Sequence, residues 1–418
     1  MYKLRDYQDE AVGIAVKKLK SPKTNKPFII QAATGAGKSL IIAEICHRID
    51  EPILILQPSK EILEQNYAKL ISYDPLIDAG IYSASKGRKE IRKFTFATIG
   101  SIYKKPEEFE HFKYAIVDEC HGVNPKKQDG MLTSFFKAIQ CEHIVGLTAT
   151  PYRIDTLWER LPGGDLKSTA SLKMINRISR TPFFKSIAYK IETAELQRDG
   201  YLAPIQYYSD PMDWSELKLN STEANFTDDS QEKFGGRIIQ RIVQAIEYSE
   251  THHERTLVFC QTIGQAKKAM AHIEDRGIGV ALVTAETPTK ERERLIEEFK
   301  SGRIKHMLNM GVFTTGFDVP ILDCVVLARA TMSLALYYQM VGRGIRVDPE
   351  DPSKVLKVYD LVGIVERLGR VESIRVQREE HGFRDEVWTE VGRMDNYPLY
   401  SFIVTPKEKE KKHGRKKN

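Results

Sequence analysis

At 418 residues, with a formal net charge of +6 and 41% hydrophobic residues, the chain is too long for one core, and two or three globular domains are expected. No apolar run approaches the ~20 residues of a bilayer span, and the opening Met1–Tyr7 has no signal-peptide core, so no membrane partner and a cytoplasmic location are expected. The five cysteines form no C-x-x-C pair and read as buried free thiols in a reducing compartment, while the mild basic balance permits a nucleic-acid partner without demonstrating one.

In chain order, Tyr7, Ala11, Ile14, Ala15 and Leu19 mark the apolar stripe of an opening helix, which Pro22 and Pro27 separate from the first strand. Phe28, Ile29 and Ile30 read as that strand, short and buried, and Leu40–Ile49 as a helix. The turn between them carries Gly35 and Gly37 and ends in Lys38 and Ser39. A phosphate chain needs that arrangement. Glycines let backbone N–H groups face an anion without a side chain in the way, and the helix start points its positive end at the same anion. Thr34, Gly35, Ala36, Gly37, Lys38 and Ser39 are therefore the candidate nucleotide cradle, with Lys38 reaching the outer phosphates and Ser39 holding Mg²⁺. The usual pattern, G-x-x-x-x-G-K-[ST], has Ala32 in its first position here. Alone, the stretch also suits an ordinary strand–turn–helix corner.

Ile53–Leu56, Phe94–Ala97, Tyr114–Val117 and Ile144–Leu147 are short apolar runs alternating with polar helical stretches, the pattern of a parallel sheet covered on both faces. Ser59 and Lys60 open a helix expected over Glu61–Leu70; a helix start binds a backbone phosphate, and Ser59 also suits a plain cap. Asp118 and Glu119 follow Tyr114–Val117 at the carboxyl end of a strand, where α/β sheets bind ligands. Asp118 suits Mg²⁺ held through water, and Glu119 suits orienting and deprotonating the water that attacks the γ-phosphate. A surface Asp-Glu pair is the competing reading, weakened by the phosphate loop upstream. His121 is expected to contact the nucleotide end or the next motif, Thr148–Pro151, although a plain turn residue is the competing reading.

The first α/β unit is placed at 1–152, a connecting segment at 153–236, a second α/β unit at 237–375 and a C-terminal extension at 376–418. Within the connecting segment, the polar stretch Ser209–Gly236 reads as an exposed excursion, and Tyr201, Tyr207 and Tyr208 as strand residues. Strands are then expected at Leu257–Cys260, Val280–Val283, His306–Leu308, Val325–Leu327 and Val355–Leu361, with helices at Gln265–Asp275, Lys290–Lys300 and Ser333–Gly342. Gln339, Arg343 and Arg346 fall at i, i+4 and i+7, one stripe of a helix. Two guanidiniums on one stripe suit a polyphosphate whose charge builds up during transfer, although a solvated basic face has the same spacing. Lys86, Arg88, Lys89, Arg92 and Lys93 form a further basic cluster, read as an exposed helix face or added charge for nucleic acid. The tail Pro406–Asn418 is charged throughout and expected to be disordered.

Taken together, Leu4–Gln8, Ala33–Ser39, Asp118–His121, Thr148–Thr150, Asn309–Pro320 and Gln339–Arg346 resemble, in order and spacing, the motifs of superfamily 2 helicases of the DExH type over residues 4–360. Leu4–Gln8, Gly200–Pro204 and Thr314–Asp318 are similar to RadD-type DNA-repair helicases and restriction-type translocases. RadD-type proteins carry a cysteine-rich zinc module, whereas no cysteine follows Cys324 here. The resemblance implies an α/β fold of two tandem RecA-like parallel-sheet domains with an ATP cleft between them. It implies Lys38, Asp118, Glu119, Gln339, Arg343 and Arg346 as the catalytic set, the last three reaching across that cleft. Arg5 and Gln8 are expected at the adenine and Gly316 and Asp318 at the ribose. Sugar–phosphate contacts are expected from Ser59, Lys60, Thr98, Gln261, Thr262, Thr314 and Thr315, with His121, Thr148 and Thr150 coupling the two activities. The implied function is a helicase or translocase that uses ATP and Mg²⁺, with DNA favoured over RNA. The alternatives are an RNA helicase, a non-unwinding translocase subunit of a restriction or defence complex, and a non-motor ATP switch.

Overall fold

Ile53–Gln57 shows why a parallel sheet forms: all five residues are buried, so the strand has no wet face and is covered on both sides. The computed structural model describes residues 3–21, 26–84, 87–122, 130–162, 164–177, 181–218, 226–313, 319–378, 385–395 and 398–404. Two compact units emerge, one from residues 1–153 and 173–196, the other from 154–172 and 197–418.

The first unit is built on an eight-stranded sheet. Its spatial order is Ser186–Ile191, Phe28–Ala32, His143–Thr148, Tyr114–Asp118, Ile53–Gln57, Phe94–Thr98, Ala79–Ser83 and Arg88–Lys89. Every pairing is parallel except the last, which is antiparallel. The helix Asp6–Leu19 buries Gln8, Ala11, Val12, Ala15 and Leu19, and the expected stripe residues Tyr7 and Ile14 lie half-buried at its margin. Arg88 and Lys89 form a short edge strand, which corrects the helical reading of that basic cluster. Gly146 is required by packing: a Cβ there would lie 2.7 Å from Cys120 Sγ and 2.7 Å from the Phe184 ring. Gly146→Ala is expected to cost about 1–3 kcal/mol of stability, read as a lower denaturation midpoint at unchanged slope.

The second unit is built on a six-stranded, all-parallel sheet in the order Ile205–Ser209, Leu356–Asp360, Cys324–Ala328, Thr256–Cys260, His306–Met310, Val280–Thr284. A small antiparallel sheet follows, made of Arg375–Arg378, Asp385–Thr389 and Gly392–Arg393. Another antiparallel pairing joins Pro398–Val404 to Leu166–Met174.

The stretch expected as a connecting segment at 153–236 supplies an edge strand to each large sheet, Ser186–Ile191 to the first and Ile205–Ser209 to the second. Nor do the described residues of Ser209–Gly236 form an exposed excursion throughout. Trp214, Phe226 and Phe234 are buried, and Trp214 Nε1 donates 2.6 Å to the Val362 carbonyl. Tyr207 and Tyr208 lie in the second of those strands, whereas Tyr201 precedes it. All five cysteines are buried free thiols, and burial pushes Cys141 and Cys260 up to about 12. Among the described residues no helix is long and apolar enough to cross a membrane. The tail from Pro406 lies outside the described residues.

Candidate active site

The strand Phe28–Ala32 runs into the glycine turn, and the helix Lys38–Ile49 leaves it. Gly35 and Gly37 hold φ of +85° and +81°, a left-handed conformation that costs a residue with a Cβ roughly 1–2 kcal/mol. The turn is braced from three sides. Ala33 N–H donates 3.0 Å to the Ile191 carbonyl, Gln8 Nε2 donates 2.9 Å to the Ala36 carbonyl, and Tyr7 OH donates 3.2 Å to the same oxygen. Gln8 Oε1 in turn accepts the Arg5 N–H at 3.0 Å. Gln8, expected at the adenine, is therefore also the buried prop of the loop. A Cβ on Gly37 would lie 2.5 Å from its Nε2.

Asp118 ends the strand Tyr114–Asp118. Glu119 follows at φ +46°, a strained value for a residue with a Cβ. Lys38 Nζ donates to Glu119 Oε1. Burial alone would raise both carboxyls. For Asp118 burial wins, with the neighbouring negative charge of Glu119 adding to it, and the group lies above the usual carboxylate range. For Glu119 the Lys38 ammonium and the His121 ring outweigh burial and hold it well below that range.

One residue of this cluster was not anticipated. Asn66 Oδ1 accepts the Ser39 hydroxyl at 2.5 Å, and Asn66 Nδ2 donates 2.9 Å to Asp118 Oδ2 and 3.0 Å to Gln57 Oε1. The helix Lys60–Tyr73 buries Ile62, Leu63, Asn66, Leu70 and Tyr73, so a polar residue interrupting an apolar stripe was the available signal. Asn66 thus links the two residues expected to hold Mg²⁺. A hydroxyl and a carboxylate are hard oxygen donors that fit this ion. Among the described residues no three His, Cys, Asp or Glu side chains gather as a metal site.

His121 lies against the motif Thr148–Pro151. Its Nδ1 lies 2.8 Å from Thr148 Oγ1, 3.4 Å from Thr150 Oγ1 and 3.3 Å from Glu119 Oε2. Thr148 and Thr150 are buried. The structure therefore gathers Lys38, Ser39, Asp118, Glu119, His121, Thr148 and Thr150 within the first unit.

In the second unit the helix expected over Ser333–Gly342 runs over Leu334–Val341, so it does not carry Gln339, Arg343 and Arg346 on one stripe. Gln339 lies on it, but Arg343 and Arg346 do not. Gly342 caps the helix, Arg343 N–H bonds back to Met340 O, and Gly344 N–H to Val341 O, which tightens the chain into a turn. Arg346 then forms an antiparallel bridge to Leu202. Two glycines in three residues end the helix where the spacing alone suggested that it continues.

Residues 1–153 match the family model described as the type III restriction enzyme res subunit, and residues 237–348 match the helicase conserved C-terminal domain. The chain belongs to the superfamily 2 helicases. The IRC3 protein of Saccharomyces cerevisiae is 25% identical over 82% of this chain and 49% of its own length. The DNA 3'-5' translocase XPB2 of Sulfurisphaera tokodaii is 25% identical over 82% of this chain and 78% of its own. A solved fragment of a type I restriction HsdR subunit from Vibrio vulnificus YJ016 superposes with a TM-score of 0.63 at 20% identity, covering 88% of this chain and 66% of that one. The chain spans about half the length of the yeast relative. The two parallel sheets are those of tandem RecA-like domains.

The expected strand-contact residues are less uniform in their surroundings than the cluster around Lys38 and Glu119. Ser59 caps the helix Lys60–Tyr73, accepting Ile62 N–H at 3.3 Å, and Lys60 pairs with Glu61 at 3.8 Å. Thr98 ends its strand and bonds Ser101 Oγ at 2.9 Å. Thr262 caps the helix Ile263–Glu274 and donates 2.6 Å to Glu232 Oε2. Gln261 is a correction. It is fully buried, its Nε2 donates to Gln231 Oε1 at 2.9 Å, and its Oε1 accepts Ala330 N–H at 2.7 Å, so it braces the interior and presents nothing to a strand. Thr314, Thr315, Gly316 and Asp318 lie outside the described residues.

Proposed function

We propose that this chain is a Mg²⁺-dependent ATPase that drives a helicase or translocase on DNA. The observation that carries the proposal is the contact of Lys38 with Glu119 beside the Ser39–Asn66–Asp118 chain. Cation, base and metal-holding oxygens converge at the carboxyl end of the sheet, where a phosphate loop begins.

ATP would lay its outer phosphates against the backbone N–H groups of Gly35–Ser39 and the Lys38 ammonium. That ammonium now neutralises Glu119, so phosphate and carboxylate compete for it. As Lys38 turns to the phosphate, Glu119 loses the partner that holds its pKa down and becomes a better base for the attacking water. His121 Nδ1 lies 3.3 Å from the far carboxylate oxygen and 2.8 Å from Thr148 Oγ1, close enough for the ring to add positive character beside Glu119 when protonated. Mg²⁺, when bound by Ser39 and Asp118, would neutralise charge on the phosphates. Arg343 and Arg346 of the second unit would add positive charge to the same reaction, and Ser59, Lys60, Thr98 and Thr262 would contact sugar–phosphate. The preference for DNA rests on the DNA translocase among the relatives.

Asn66 positions Ser39 and Asp118 from behind. Asn66→Ala is expected to raise the Mg²⁺ concentration needed for nucleotide binding about 10- to 100-fold, the usual effect of removing such a support. A Mg²⁺ titration of the affinity for a fluorescent ATP analogue measures it.

The test of the function is ATP turnover with single-stranded DNA, duplex DNA, forked DNA and RNA, using Lys38→Ala as the zero point. Stimulation by DNA supports the proposal, and strand separation on the fork then distinguishes helicase from translocase. Stimulation by RNA alone overturns the DNA assignment. No stimulation by any of them overturns the motor and leaves an ATP switch.

A further inference from the structure

Lys354 carries a charge into the interior at a position no motif predicts. It sits just ahead of the strand Leu356–Asp360 and is only 6% exposed. A lysine is almost never buried unless its ammonium is paired. Here backbone carbonyls do the pairing. Nζ donates to Pro320 O at 2.5 Å, to Gly344 O at 2.9 Å and to Leu322 O at 3.1 Å, using all three of its donors.

The three carbonyls belong to two separate stretches. Pro320 and Leu322 stand where the chain leaves Asn309–Pro320, and Gly344 lies between Arg343 and Arg346. The same turn is fixed from other directions. A Cβ on Gly344 would meet Leu356 Cδ1 at 2.4 Å, and the Ile345 carbonyl accepts Ala203 N–H at 2.8 Å. Because the helix stops at Val341, such ties, and not helical geometry, set the path of the backbone that carries the two arginines.

We propose that Lys354 is a positioning residue for ATP hydrolysis: its ammonium staples the chain leaving Asn309–Pro320 to the turn that bears Arg343 and Arg346. This rests on the proposed role of Arg343 in hydrolysis. The staple needs the charged form, since a neutral amine keeps two N–H donors for three carbonyls. Burial pulls the ammonium down most and the Arg346 guanidinium adds to that. Asp348, Asp323 and Asp351 oppose it, and the balance leaves Lys354 lowered from 10.5 to about 8. The staple should therefore loosen as pH rises through about 8. The stability linkage has the opposite sign. Between the folded and ordinary lysine values the unfolded chain binds the extra proton, so this group's contribution to stability rises with pH. A loss of rate in that window is then not unfolding driven by Lys354.

The experiment uses the full chain with saturating ATP and single-stranded oligo(dT), measuring kcat, KM for ATP and melting temperature from about pH 6.5 to 9.5 around the lowered lysine value. Wild type, Lys354→Met, Lys354→Arg and Arg343→Ala are compared. Wild-type kcat should fall above about pH 8 while the melting temperature holds. Lys354→Met should lose about tenfold in kcat, with KM within about threefold and no alkaline limb, the pattern of support lost only in the transition state. Lys354→Arg, which stays charged, should recover part of the rate and lack the limb. A Lys354→Met kcat within about twofold of wild type, with Arg343→Ala slow, overturns the proposal, as does a limb that persists in that variant. Arg343→Ala turning over at the wild-type rate would instead remove the assignment beneath it. Should Lys354→Met fail to fold, the wild-type limb and its loss in Lys354→Arg decide the question.

Discussion

Glu119→Gln is expected to bind ATP at least as well as wild type and to hydrolyse it about 10²- to 10⁴-fold more slowly, the range for losing a general base. The amide keeps the size and one acceptor oxygen of the carboxylate but cannot take a proton from water. It also cannot neutralise Lys38, whose ammonium now contacts Glu119. Freed from that competition, Lys38 favours the phosphate more strongly, so affinity should hold or rise while the rate collapses. An equilibrium titration paired with single-turnover hydrolysis separates the two effects. A variant that binds weakly and hydrolyses normally would mean that Glu119 serves the fold of the loop and not the chemistry.

Much of this site was legible because its physics is local. Gly35 and Gly37 are needed at positive φ, and Lys38 and Ser39 open a helix directly after them, so the residues proposed to hold phosphate are contiguous. The carboxylates were legible because a continuous apolar run such as Tyr114–Val117 marks a buried strand, and strand ends carry ligands. What failed to show was set by distant partners. Asn66 acquires meaning only when its helix packs beside Ser39 and Asp118, which stand far from it in sequence. The strand Ser186–Ile191 has five half-buried residues in six, as expected of a sheet edge, and therefore no apolar run to announce it. Gln261 looked like a polar residue at a strand end, yet Gln231 and the Ala330 N–H draw it fully inside. The spacing of Gln339, Arg343 and Arg346 suggested one helical stripe, but the helix ends at its expected cap, Gly342, and leaves both arginines beyond it.

Arg343→Ala tests the part of the account that no single stretch of sequence contains. The proposed phosphate loop and the proposed base Glu119 lie in the first unit, and Arg343 in the second. If both act on one reaction, the substrate should still be held by Gly35–Ser39 and Lys38 after the guanidinium is removed, while the charge that develops during transfer goes unmet. Loss of such an arginine lowers turnover about 10³-fold or more. The variant should keep its nucleotide affinity, because the interaction lost is one made in the transition state. The most direct measurement is therefore the kcat of Arg343→Ala at saturating ATP and saturating DNA, beside its affinity for an ATP analogue. The account predicts wild-type affinity with turnover reduced by about three orders of magnitude. Turnover at the wild-type rate under those conditions would contradict it, and would confine hydrolysis to the first unit alone.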